Sequence, residues 1–295
     1  MEINFLKYKK IYFAISGILI LISIVALGLF GLKLGIDFTG GSILEVEYKE
    51  DRLANQEIEG RLSDLELGEI QVQPTGEKGV IIRMKDISEE THQEILTKMG
   101  GENVLEEIRF ETIGPVIGQE VKEKTKIVII LAILSILVYV TFAFRKVSQP
   151  VRSWQYGIAT IIALTHDVFI PIGIFAILGK FYSVEISIPI ITALLTVFGY
   201  SVNDTVVVFD RIRENLMKKS ISFEEAVNQS LNQNLSRSVS TSLTTLFVLL
   251  AIFFFGGHTL TFFSLALILG VVLGTYSSIC LAAPILVVWL KKSRG

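Results

Sequence analysis

With a single cysteine in 295 residues, the chain has no way to form an internal disulfide. Because that residue, Cys280, lies in an apolar run, it reads as packing and leaves the redox compartment unreadable. A dominant charge is missing as well. The formal net charge is −2, so the overall balance points neither to nucleic acid nor to a polyacidic substrate. The chain contains no G-x-x-x-x-G-K-[ST] phosphate loop, and Thr75-Gly76-Glu77-Lys78-Gly79 reads as the tip of a hairpin, which disfavours direct use of ATP. Its three histidines, at 92, 166 and 258, are scattered, with no Cys/His spacing of a zinc site. A G-x-S-x-G elbow and other nucleophile signatures are also missing. These absences disfavour an enzyme and give no reason to expect a metal or cofactor. The energy source left open to such a chain is a transmembrane ion gradient.

Apolar surface is what the chain has in abundance. Hydrophobic residues make up 51% of it and the mean hydropathy is +0.58, too high for an ordinary soluble domain. Six stretches, near 11–31, 126–144, 157–178, 186–208, 239–256 and 262–290, approach the ~20 residues needed to cross a hydrocarbon layer of about 30 Å. The first follows Lys7, Lys9 and Lys10, as a secretory signal would. However, Ile11 to Gly31 is longer than a signal core and has no convincing small-x-small cleavage site, so a retained helix is expected.

Basic residues set the expected orientation. They cluster at Lys7, Lys9 and Lys10, at Arg145, Lys146 and Arg152, at Arg211, Arg213, Lys218, Lys219 and Arg237, and at Lys291, Lys292 and Arg294. With six spans all four clusters fall on one side, while the short loops opposite hold only Lys180. By the positive-inside rule both termini are cytoplasmic, and residues 32–123 lie outside as an extracytoplasmic domain. The expected organisation is 1–31 (N-terminus and first helix), 32–123, and 124–295 (a five-helix transmembrane domain with a cytoplasmic loop at about 209–238).

Within 32–123, Gly41 to Tyr48 alternates like a strand, and Asp51 to Leu65 has helical spacing of Leu53, Ile58, Leu62 and Leu65. Ile70 to Gln73 and Val80 to Met84 flank a Pro74-Thr75-Gly76 turn. Ser88 opens a helix with Glu89 and Glu90 in its first turn, Gly100-Gly101 ends it, and Leu105 to Thr112 supplies a last strand. The order β-α-β-β-α-β is that of a ferredoxin-like α+β domain, which fixes shape and not chemistry. The expected fold class is a membrane protein of six transmembrane α-helices with that domain between the first and second.

Ionisable groups inside apolar spans cost several kcal/mol unless hydrated or paired, which makes them candidate functional residues. The third span holds His166 and Asp167; the fourth holds Asn203 and Asp204 near its cytoplasmic end. The fifth begins with Arg237 among Ser236, Ser238, Ser240, Thr241 and Ser242. If these spans pack together, Asp204 and Arg237 lie at similar depth, each about one or two turns from the surface, and an ion pair that protonation of Asp204 would break becomes possible. The alternatives stay open: Arg237 snorkelling to the interface with Asp204 a static acceptor, His166-Asp167 as a locked pair instead of a proton relay, and the hydroxyls as capping and packing groups. Ser222 and Glu225 match a capping box, from which a short helix along the inner surface is expected. Gly270 and Gly274 form a G-x-x-x-G that predicts a close helix contact in the sixth span. The acidic side chains Glu45, Glu47, Glu57, Glu59 and Glu66 read as solubility, with binding of basic segments the alternative.

Three segments carry a family likeness. Gly35-Ile36-Asp37-Phe38-Thr39-Gly40-Gly41-Ser42, Glu111-Thr112-Ile113-Gly114-Pro115-Val116-Ile117-Gly118-Gln119-Glu120 and GYSVNDTVVVFDRIREN from Gly199 to Asn215 resemble the ordered signatures of the SecD/SecF family of the resistance-nodulation-division superfamily, on its SecF side. The resemblance covers essentially the whole chain. It implies a bacterial inner-membrane subunit that pairs with SecD, works with the SecYEG channel, SecA and YajC on a preprotein, and uses the proton motive force for late translocation. The coupling ion is then a proton, with sodium the alternative. Asp204 matches the family's protonatable aspartate and Arg237 its partner, while Asp37, Gly40, Gly41, Gly114, Gly118 and Gln119 fall in the signatures, as hinges or as rigid docking turns. Competing readings are half of a proton-coupled exporter of small molecules or lipids, and a translocon scaffold that transports nothing.

Overall fold

A computed structural model describes residues 3–101, 103–145, 150–218 and 221–294. Lys146 and Lys219, two members of the basic clusters, lie outside these residues, as do the side chains of His258, Lys292 and Arg294. Contacts divide the chain into two compact units, residues 34–127, and residues 1–33 with 128–295.

The 34–127 unit opens with a single helical turn, α2 (Ile36–Thr39), which follows the first long helix α1 (Lys9–Phe30) in the chain. It continues as β1 (Gly41–Tyr48), α3 (Asn55–Leu62), β2 (Gln71–Thr75), β3 (Gly79–Met84), α4 (Glu89–Met99) and β4 (Leu105–Ile113). The strands form one antiparallel sheet in the order β2-β3-β1-β4. One face carries the core: Leu44, Val46 and Tyr48 of β1 and Val80 and Ile82 of β3 pack with Ile58, Leu62, Ile95 and Met99 of the helices. On the other face Ile43 and Ile81 pack with Ile36 and Ile113. Central β1 is therefore buried on both faces, and even Glu45 is only 7% exposed. Ser88 caps α4 by accepting the Thr91 N–H, and the positive-φ Gly100 ends it. The hairpin turn falls after Thr75, later than its Pro-Thr-Gly composition predicts. Pro74 instead sits on the edge strand β2, where its missing N–H costs no ladder bond.

The helical unit contains α1 and the chain from residue 128 onward. Its elements are the remainder of α5 (Pro115–Ala143), then α6 (Ser153–Tyr182), α7 (Ile188–Lys218), α8 (Phe223–Phe255), α9 (His258–Ser277), a π-helical segment Ser278–Ala282, and α10 (Ala283–Arg294). Among the described residues six helices are long and apolar enough to cross a membrane: Phe5–Phe30, Pro115–Ala143, Ser153–Tyr182, Ile188–Lys218, Phe223–Phe255 and Thr259–Lys291. The chain thus has the six spans its hydropathy predicts.

Small residues decide which of these helices touch. A Cβ built on Gly270 would stand 2.1 Å from Val197 Cγ2, and one on Gly274 would stand 3.2 Å from Ser201 Cβ, so α9 lies directly on α7 as the G-x-x-x-G predicts. Gly173 brings α6 equally close to Ser23 of α1. The aromatic cluster Phe144, Tyr156 and Phe209 packs at one end, with centroids 5.0 Å and 5.1 Å apart across Tyr156.

One expectation is overturned. The capping box forms, Ser222 accepting the Glu225 N–H and Glu225 the Ser222 N–H, but the helix it starts is not a separate surface helix. It runs unbroken for 33 residues as α8. No Gly or Pro interrupts Phe223–Phe255, and the first turns bury Phe223, Ala226, Val227 and Leu231 in the bundle. Asn228 and Asn232 accept from the backbone of Phe5 and Ile3, tying the N-terminal turn to α8. The loop expected at about 209–238 is consequently helical over most of its length, since α7 ends at Lys218 and α8 starts at Phe223.

Candidate functional site

The polar residues of the helical unit converge on two carboxylates. Asp167, on α6, is fully buried, and three polar side chains surround it. Ser201 Oγ of α7 and Ser277 Oγ of α9 donate to its Oδ2 at 2.5 Å and 2.6 Å, and His166 Nδ1 lies 2.9 Å from its Oδ1. His166 is also fully buried, and its ring stacks on Tyr276 at 5.8 Å between centroids. Its Nε2 has no hydrogen-bond partner among the described residues.

Asp204 lies one helical turn along α7 from Ser201 and is half-buried. Its Oδ1 accepts from Ser238 Oγ of α8 at 2.6 Å, and its Oδ2 accepts from Ser278 Oγ at the start of the π segment. The adjacent serines Ser277 and Ser278 therefore serve the two carboxylates. Both are fully buried. A π turn inside an α-helix changes the local register and recurs at functional positions.

Of the readings left open by the sequence, an Asp204–Arg237 ion pair is not formed; the carboxylate is held by Ser238 and Ser278. The side of α8 facing Asp204 carries Ser238, and one residue earlier means a rotation of about 100°. Arg237 is exposed and lines a cavity with Asp210, Arg211, Arg213, Glu214 and Asn234. Within that group Arg211 is paired with Glu214 at 2.7 Å. Asn203 is exposed on α7. Of the residues singled out in the sequence, the structure thus brings Asp167, His166 and Asp204 into one polar region and leaves Arg237 and Asn203 exposed outside it.

Sequence reasoning missed Ser201, Ser277 and Ser278, and read Ser238 as packing. A signal was available for two of them: a Ser-Ser doublet inside the long apolar run of the sixth span has no reason to be there unless something polar faces it.

The signature residues before and after the sheet are brought together within the 34–127 unit. Gly41 pairs with Ile113 at the β1–β4 edge, and Ser42 Oγ donates to Thr112 Oγ1 at 2.8 Å. Gly40 has φ +75°, and a Cβ there would fall 2.7 Å from Pro115 Cα. A Cβ on Gly118 would fall 2.8 Å from Gly40 N. Only glycine allows this backbone-on-backbone approach, which is a close-packed junction at Gly40 and Gly118. Gly41 is likewise held against Met84 O, whereas Gly114 has open space around it. Asp37 is half-buried and Gln119 is exposed, bonded to Glu123.

Residues 91–292 match the family model described as protein export membrane protein SecD/SecF, C-terminal, and residues 25–51 match the SecD/SecF GG motif. The chain belongs to the SecD/SecF family. A protein translocase subunit SecF from Thermobaculum terrenum is 44% identical over 98% of this chain and 95% of its own length. One from Anaerolinea thermophila is 39% identical over 97% and 94%. The crystal structure of SecDF, a translocon-associated membrane protein from Thermus thermophilus, superposes with a TM-score of 0.83 at 32% identity over 98% of this chain and 39% of that one. SecDF in a super-membrane-facing form gives 0.70 at 34% identity over 100% and 39%. The chain therefore spans about two fifths of the SecDF chains it matches. Family membership and six apolar helices make this a multi-pass membrane protein of the protein-export class.

Proposed function

We propose that the chain is the SecF-type accessory subunit of the Sec export machinery, pairing with SecD and using proton entry at Asp204 to promote late translocation and release of a preprotein. One observation carries the coupling role: Asp204 is a carboxylate on a membrane-spanning helix, and its hydrogen-bond partners are hydroxyls, Ser238 and Ser278. A serine hydroxyl donates to a charged carboxylate and accepts from a protonated one, so both states are satisfied at little cost. A guanidinium held on Asp204 would have locked in the charge.

Pairing with SecD is supported by the alignment to two fifths of SecDF chains and by the general design in which a half-transporter is completed by a second half. The basic residues near the ends of α1, α5 and α7 support cytoplasmic termini and an extracytoplasmic 34–127 unit. The strand order β2-β3-β1-β4 supports reading that unit as ferredoxin-like. The close-packed glycines Gly40 and Gly118 support a docked signature junction over a freely bending one.

Transfer of one charge across 100 mV supplies about 2.3 kcal/mol, a bias of about 50-fold on a two-state equilibrium. In vesicles containing this chain, SecD and the channel, Asp204→Asn removes the acceleration of preprotein release that an imposed proton gradient produces, and leaves assembly with SecD intact. Gradient-driven release at the wild-type rate in that variant would show a scaffold.

A further inference from the structure

We propose that Ser277 and Ser278 couple Asp167 to Asp204, making the buried Asp167–His166 pair a second carboxylate station whose protonation depends on the first. The inference rests on the reading of Asp204 as a proton-accepting group and adds to it a second group and the link between them.

The link is a pair of hydroxyls with two acceptors each. Ser277 Oγ donates to Asp167 at 2.6 Å and also lies 3.2 Å from the carbonyl of Gly274. Ser278 Oγ donates to Asp204 and also lies 3.1 Å from the carbonyl of Thr275. While the carboxylate is charged, the serine proton points to it. Once the carboxyl is protonated it becomes the donor, and the serine turns its own proton onto the i−3 carbonyl. No proton leaves either serine, so what passes along the chain is the direction of a hydrogen bond.

The two serines are not independent. The Gly274 carbonyl accepts the backbone N–H of Ser278 as well as contacting Ser277 Oγ. When Ser277 turns fully onto that carbonyl, it competes with the bond that places Ser278. The chain is able to yield there because the π segment begins at Ser278, where the α-helical ladder changes register. Asp167 is joined to the same α7 helix through Ser201, one turn from Asp204. The carboxylates are therefore connected by two routes, through α7 and through the serine doublet. Beside Asp167 the titratable neighbour is His166 on α6, whose ring stacks on Tyr276 of α9, and Tyr276 in turn donates to the Tyr12 carbonyl of α1. Asp204 itself is held by Ser238 and Ser278; further along α7, Asp210, Arg211, Arg213 and Glu214 line a cavity with Arg237 of α8. Most of the cations and carboxylates in this set stand on the Asp204 side. Asp167 has a histidine and hydroxyls beside it, so it reads the state of Asp204 through the serines.

The test is a carboxyl infrared titration of the full chain in lipid nanodiscs, with isotope-labelled aspartate and with Asp167→Asn and Asp204→Asn to assign the bands. Expected is a midpoint for Asp167 that moves by about one pH unit or more when Asp204 becomes Asn. In Ser278→Ala and in Ser277→Ala the response to Asp204→Asn shrinks, and Ser278→Thr, which keeps the hydroxyl, restores it. An Asp167 midpoint unmoved by Asp204→Asn, or a full response in both alanine variants, overturns the coupling while leaving Asp204 as the entry group. No protonation of Asp204 anywhere between pH 4 and 10 overturns the proposed function as well, so the two failures are distinguishable.

Discussion

In residues 34–127 ion pairs such as Arg61–Glu57 at 2.7 Å and Lys98–Asp64 stand at the rim, around a core of Leu44, Ile58, Leu62, Ile82 and Ile95. The helical unit does the reverse. It buries Asp167, His166, Ser277 and Ser278 completely while Leu21, Val138, Phe247 and Phe255 stand 60%, 67%, 67% and 89% exposed. Both units obey one rule under two solvents. Water takes charged groups and drives apolar ones inward, whereas hydrocarbon accepts a phenylalanine and forces hydroxyls and carboxylates to find each other. A buried polar residue accordingly means different things in the two units. His92 in the first, stacked on Phe110 at 3.8 Å, is part of a packed core edge, while His166 in the second sits in a polar network.

That contrast can be broken by mutation. The largest expected effect is Ile82→Ala, which removes a fully buried side chain of the inner strand β3 from the core and costs about 2–5 kcal/mol. Hydrogen exchange should show lost protection in β1, β3 and α4 and unchanged protection in α6, α7 and α9. Gly270→Leu should give the opposite map at about 1–3 kcal/mol, because its side chain must displace Val197 where α9 lies on α7. Its measurable sign is a lower thermal midpoint of the helical unit in detergent. Smallest is Lys98→Met. The Lys98 hydrogen bond holds the Asp64 carboxyl below its ordinary value, so this pair stabilises the fold above the unfolded-state pKa and its contribution is lost as pH falls through the lower folded value. Wild type and variant should therefore differ slightly at pH 7 in urea unfolding and converge in acid. A variant effect that grows in acid would contradict the assignment.

Much of this was readable in one dimension, for reasons that particular residues make plain. Ile11 to Gly31 is apolar on every face, and that is a solvent statement needing no partner. Ser88 with Glu89 and Glu90, and Ser222 with Glu225, announce helix starts because a cap is satisfied within four residues. The extent of α8 was harder to see: its polar first turns look like a surface helix until Asn228 and Asn232 are seen bonded to the N-terminal turn. Asp204 could be singled out because a carboxylate in an apolar span is conspicuous. Its hydroxyl partners could not, because Arg237 and Ser238 are neighbours in sequence and point about 100° apart on a helix.

The sequence by itself determined the solvent, the six spans, the βαββαβ order and the carboxylates that had to be held, since each depends on composition or on contacts a few residues long. Tertiary structure alone decided who holds them. Ser201, Ser238, Ser277 and Ser278 come from three spans, 34 to 110 residues away from the aspartates they serve. Helix rotation and the π register at Ser278 choose between neighbours that the linear order leaves equivalent.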